Sequence, residues 1–177
     1  MNNEVLKTIQ PHLNILGVKP ISMLFNSFID NFAITKARAG LEPSFSRIHW
    51  TPSRVGVSDA MNGDGEPLEN TQKIISFLID TKIELAAQTI EGIIPEGVPI
   101  PDELIIAKFE VGFAIDYISA VDPTTFSAEA VEEFAKFNAP FHMWPYWREL
   151  VQNICLRSQL PVVALPMFRV PDANDQK

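Results

Sequence analysis

Residues 105–117 constrain the possible folds of this chain more than any other stretch. Ile105, Ala107, Phe109, Val111, Phe113, Ile115 and Tyr117 alternate with Ile106, Lys108, Glu110, Gly112, Ala114 and Asp116. In a strand, successive side chains point to opposite faces, so this alternation makes one face continuously apolar and places most charges on the other. The chain must contain a long strand whose apolar face is covered by another part of the fold.

The run before it behaves the same way. Ile75, Phe77, Ile79, Ile83, Leu85 and Ala87 share one parity, and Ser76, Asp80, Lys82, Glu84 and Gln88 the other. The stretch holds good helix formers, but helical spacing would scatter Asp80, Lys82 and Glu84 around the axis. It therefore reads as a strand. Between the two runs lies Thr89 to Glu103, whose three prolines and two glycines exclude regular structure and mark a long hairpin connection. One-faced alternation on both sides of a hairpin favours an antiparallel pair.

Upstream, Ile15 to Phe28 is a candidate strand interrupted by Pro20, which suits a sheet edge because proline cannot donate to the ladder. Phe45 to Val57 is another, with Ile48 and Trp50 on one side. Asn62-Gly63-Asp64-Gly65 marks a turn. Residues 29–44 fit a short helix or a loop, and Met1 to Leu13 a short helix or a frayed terminus.

Downstream the period lengthens to that of a helix. Ser127 suits an N-cap ahead of an acidic first turn, and Ala130, Phe134, Phe137 and Phe141 form an apolar stripe. Pro140 is expected to end or kink this helix. Pro145 then fits the first turn of a second helix, with Trp147, Leu150, Val151 and Ile154 on its apolar face. After Arg157 the segment Leu160-Pro161-Val162-Val163-Ala164-Leu165-Pro166-Met167-Phe168 reads as extended and apolar. Strands followed by helices imply an α+β fold, an antiparallel sheet with C-terminal helices packed on one face. The expected organisation is an N-terminal extension at 1–14, a single domain at 15–170 and a disordered tail at 171–177.

Composition narrows the function classes. The net charge of −8 argues against general nucleic-acid binding and against an electrostatic membrane anchor. No apolar run reaches the ~18 residues of a membrane span, the first residues lack the pattern of a signal peptide, and the single Cys155 cannot form an internal disulfide. These features point to the cytoplasm. Apolar residues make up 46% of the chain, so either a well-filled core or an oligomer must hide them.

Residues with catalytic chemistry are sparse. His12, His49 and His142 have no paired ligand spacing, and Cys155 lies within an apolar helical pattern that suits a small buried residue. Asn62, Asp64 and Glu66 hint at a calcium loop, but Ala60 and Thr71 would occupy its first and twelfth positions. No phosphate loop, dinucleotide fingerprint or nucleophile elbow is present. Glu110 and Asp116 fit a solvated sheet face better than an acid–base pair. The expectation is a non-enzyme with no cofactor and no metal.

The densest aromatic stretch is Trp144-Pro145-Tyr146-Trp147-Arg148-Glu149. It resembles the Phe-Pro-Tyr-Ala-Arg-Glu signature of the SecB-like protein-export chaperones. Pro145, Tyr146, Arg148 and Glu149 match directly, Trp144 replaces Phe, and Trp147 replaces the much smaller Ala. The helix that follows and the Leu160–Phe168 segment resemble that family's helix and its extended, proline-containing apolar stretch. The resemblance covers residues 15–170 and is tightest from Asn138 to Phe168.

The resemblance implies a four-stranded antiparallel sheet backed by helices and assembled as a homotetramer, a dimer of dimers. It also implies an ATP-independent holdase that binds unfolded or precursor polypeptides, with protein export and the translocase motor SecA as further expectations. The client groove is expected to draw on Phe137, Phe141, Met143, Trp144, Leu165, Met167 and Phe168, because Met and aromatics suit adaptable binding surfaces. Core or interface packing is the competing role for each. Pro145, Tyr146, Trp147, Arg148 and Glu149 are expected to be structural, with Trp147 packing on the sheet or a neighbouring subunit. The chain lacks the further C-terminal helix of typical export members, so motor docking would fall to sheet acids such as Glu84, Glu110 and Asp116. The alternative is a dedicated binding module on the same fold for one protein partner, such as an antitoxin.

Overall fold

The structure, a computed structural model, describes residues 2–28, 44–61, 66, 72–88 and 94–168. Helix α1 (Asn3–Ile9) and a 3-10 turn (Gln10–His12) lead into four strands: β1 (Leu13–Ser27), β2 (Ser44–Asp59), β3 (Lys73–Ala87) and β4 (Ile105–Ser119). Helix α2 (Ala128–Ser158) follows. The strands form one antiparallel sheet in the order β1-β4-β3-β2.

The two alternating runs are the two inner strands, and their parities match in register from Ala107 onward; the register shift beside Ala86 turns Ile105, expected on the core face, to the opposite side and puts Ile106 in the core. Ile75, Phe77, Ile79, Ile83 and Leu85 of β3 lie opposite Tyr117, Ile115, Phe113, Phe109 and Ala107 of β4. All ten side chains are buried in the core beneath α2. Thr81 shares that face, and its hydroxyl is satisfied by donating to the Val111 carbonyl at 2.8 Å.

The outer strands are the two proline-bearing ones. Pro20 of β1 pairs with Phe113 and Pro52 of β2 with Ile79, and a register shift follows each proline, before Ser22 and before Arg54. A residue without an N–H leaves a gap in the ladder, and an edge strand absorbs the gap with a bulge.

Helix α2 departs from expectation. In place of two helices split around Pro140 and Pro145, one helix of 31 residues runs through both prolines. The reason is phase. Ala130, Phe134, Ala135, Ala139, Pro140, Met143, Trp144, Trp147, Val151 and Cys155 form one continuous buried stripe. A break at either proline would rotate half of it off the sheet. Each proline costs the helix about 3 kcal/mol, against about 1.5–3 kcal/mol for each of five large apolar side chains buried on that stripe. The Trp144–Glu149 motif thus sits mid-helix instead of at a helix start. The Ser127 cap holds as expected, its hydroxyl accepting from the Ala130 N–H at 3.2 Å.

Both ends of α2 are tied down. The Leu160 N–H donates to the Cys155 carbonyl (2.9 Å) and the Gln159 N–H to that of Leu156 (3.3 Å), with Gln159 left-handed at φ 60°. This Schellman closure satisfies the last carbonyls and turns the chain back along the helix. At the other end α1 packs Leu6 and Ile9 into the core, while the Asn2 N–H donates to Glu133 Oε2 at 2.7 Å.

The long β3–β4 connection is ordered over 94–104 by Arg47 of β2. Its guanidinium donates to the carbonyls of Val98 (2.6 Å), Pro95 (3.0 Å) and Ile94 (3.2 Å). Ile100 packs with Ala86 and Ile105 in a small second cluster on the sheet face away from α2. The turn expected at Asn62–Gly65, the stretch 29–43 and the tail 171–177 lie outside the described residues.

Candidate functional site

The Schellman turn sends the apolar segment 160–168 back along α2 in extended form, and side chains of this segment alternate in and out. Leu160, Val163 and Leu165 are buried, while Val162, Ala164 and Pro166 are exposed. The Trp144 indole N–H donates to the Pro166 carbonyl at 2.6 Å, and Arg148 Nη1 approaches the Met167 sulfur at 3.0 Å. Phe168 is thereby placed against rings from two other elements. Its centroid lies 5.1 Å from Trp144, 5.6 Å from Trp50 of β2 and 6.5 Å from Phe141.

The residues expected to line a groove divide by depth. Phe141 is 51% exposed and Met167 72%, and Phe137 and Phe168 are half-buried. Met143, Trp144 and Leu165 sit beneath them, buried. Trp50 completes the cluster and was not among the expected groove residues. Its parity put it on one side of β2 with Ile48, which the structure turns toward the core, and nothing local says which aromatic it meets there. A surface with exposed Phe and Met over a layer of tryptophan can bury apolar side chains of a partner with little demand on their shape.

Within the motif, Trp147 is fully buried and packs edge-on against Trp144 with centroids 5.0 Å apart. Its indole N–H has no hydrogen-bond partner in the structure. Tyr146 is half exposed, and Pro145 and Glu149 face outward. His142 packs on the sheet, where its Nδ1 lies 2.7 Å from the Tyr117 hydroxyl. Burial lowers the His142 pKa and raises those of Tyr117 and Cys155.

Polar chemistry is dispersed. His49 belongs to the parity facing away from α2, opposite Lys82, so it and His142 lie on different sides of the sheet. Among the described residues no three His, Cys, Asp or Glu groups gather as metal ligands. No helix among them is long and apolar enough to cross a membrane. The face away from α2 holds an open cleft of about 600 Å³ lined by residues including Ser22, His49, Asp80, Lys82 and Glu110. Glu84 is buried beside Lys82 (2.8 Å) and Asp116 pairs with Lys19 (2.7 Å), whereas Glu110 is exposed.

No family model matches the chain, and no curated protein sequence matches it. Among solved structures it is similar to the SecB-like chaperone Rv1957 of Mycobacterium tuberculosis, in complex with a ChAD peptide from the Rv1956 HigA1 antitoxin. The likeness has a TM-score of 0.63 and spans 96% of this chain and 99% of the other, at 16% sequence identity. An antiparallel sheet of four long strands, backed by one C-terminal helix and an apolar return segment, gives this chain the SecB-like fold.

Proposed function

We propose that this chain is a cytoplasmic, ATP-independent holdase, a divergent SecB-like chaperone that binds unfolded or precursor polypeptides passively and reversibly. The observation that carries the reading is the aromatic surface where Trp50, Phe141, Trp144 and Phe168 meet beside the exposed Met167. Non-native chains expose apolar side chains, and such a surface takes them from water without reading a sequence. Phe137 and Phe141 line the groove with Met167 and Phe168 at its rim, and Met143, Trp144 and Leu165 support them from below. Trp147 and Arg148 hold the geometry.

Assembly as a homo-oligomer, a dimer of dimers, fits β1, an edge strand that exposes Ile15, Leu16, Ile21, Met23 and Leu24. Several weak client contacts then add through effective concentration. Docking to the translocase motor SecA would fall to Glu110, because Glu84 and Asp116 are paired with lysines.

The purified protein should slow aggregation of a denatured model client without nucleotide. Folded protein that gives no suppression at several-fold molar excess sinks the reading. A second reading, a module dedicated to one partner such as an antitoxin, is favoured by the peptide bound to the structural neighbour. A pull-down separates the two: many unrelated unfolded clients support the holdase, and one stoichiometric partner the module.

A further inference from the structure

We propose that residues 166–168 act as an intramolecular pseudo-client, a strap that fills the aromatic groove in the free protein and leaves it when a polypeptide binds. The inference rests on the holdase reading. The return segment has two unlike halves. Leu160, Val163 and Leu165 are rooted in the core, at 3–5% exposure. Beyond them, Pro166 and Met167 are exposed, and no strand or helix pairing holds the backbone.

Three contacts keep this outer half in place: the Pro166 carbonyl on the Trp144 indole, the Met167 sulfur on Arg148, and the Phe168 ring against Trp50 and Trp144. Each is a group an unfolded client can offer: a main-chain carbonyl at any residue, a thioether wherever it has Met, and a ring wherever it has an aromatic residue. A client can replace them one for one. Its carbonyl would satisfy the Trp144 N–H that departure of Pro166 leaves open, so exchange does not strand a buried donor. The rooted half stays behind as the hinge.

Closure lowers affinity in proportion to the open fraction, since the apparent Kd is the intrinsic Kd divided by that fraction. The test uses the full chain and a fluorescein-labelled, reduced and alkylated α-lactalbumin as a permanently unfolded probe, read by anisotropy. Phe168→Ala removes the ring that seats the strap and should bind at least about threefold more tightly than the natural chain. In the natural chain, probe binding should abolish the NMR cross-relaxation contacts of the Phe168 ring with Trp50 and Trp144. Equal or weaker binding by Phe168→Ala, or ring contacts of Phe168 that persist with probe bound, makes the segment a groove wall and overturns the strap while leaving the holdase standing. Absence of binding by both folded proteins overturns the holdase and the strap together. If Phe168→Ala does not fold, the ring contacts of Phe168 in the natural chain decide alone.

Discussion

β4 and β1 are both fifteen residues long, both rich in apolar residues, and paired with each other from Leu13↔Ser119 to Ser27↔Ala107. In β4, Phe109, Phe113, Ile115 and Tyr117 are at most 1% exposed, while in β1 Ile15, Leu16, Ile21, Met23 and Leu24 are 48–59% exposed. Hydropathy does not separate them; place in the sheet does. β4 has a strand on each side and the α2 stripe above, whereas β1 has one neighbour and α2 centred elsewhere. An apolar strand left at an edge is pairing-prone, which is why the proposed contact between copies is placed there.

The sharpest break of this contrast is by truncation. Phe113→Ala should cost about 3–5 kcal/mol, and Met23→Ala, on the same sheet face, should stay within about 0.5 kcal/mol, both from urea denaturation at dilutions where the chain is a single copy. Similar losses at the two sites would mean β1 is as buried as β4 in solution. The same test inside the signature pairs Trp147→Ala, again about 3–5 kcal/mol, with the half-exposed Tyr146→Ala, expected to cost much less.

Charge on the edge addresses what covers it. The double substitution Ile21→Lys with Met23→Lys should leave the single chain's fold intact and reduce native mass from a multiple of 19.8 kDa towards one copy. A mass unaffected by both lysines would remove β1 from the interface.

The seam between the two strands gives a smaller effect. A Cβ at Gly112 would lie 2.5 Å from Ser22 Oγ, which accepts from the Gly112 N–H at 3.2 Å. Gly112→Ala should cost about one hydrogen bond, 0.5–1.5 kcal/mol, and be less than additive with Ser22→Ala. Full additivity would show that the contact is not made.

The smallest effect is pH dependence at the β4–α2 contact. Burial lowers the His142 pKa, so the unfolded chain binds its proton first as pH falls below the ordinary value of about 6.5. The His142 contribution to stability is complete above that value and declines on acidification. His142→Gln should flatten the fall between pH 7.5 and 5.5, and an identical slope in both proteins would exclude the residue.

Much of the fold was legible because strand faces are encoded locally. The parities of 75–87 and 107–117, and the edge position of Pro20, follow from side-chain direction and from a missing N–H, whereas the shift that reverses Ile105 and Ile106 depends on pairing with Ala86. The aromatic cluster was legible only in part. The expected groove residues come from α2 and the return segment, which are adjacent in sequence. Trp50 joins them only because β2 lies at the sheet edge beside Phe168.

The sequence by itself determined which residues share a face, where α2 begins, and that the face must be covered, since each of these depends on the direction of neighbouring side chains. Only the tertiary structure decided that β4 is central and β1 open, that α2 continues through Pro140 and Pro145, and that Phe168 closes over Trp50 and Trp144. The cost of a proline or an exposed ring is local. The burial that offsets it comes from residues far away in the chain, and no window of sequence contains both.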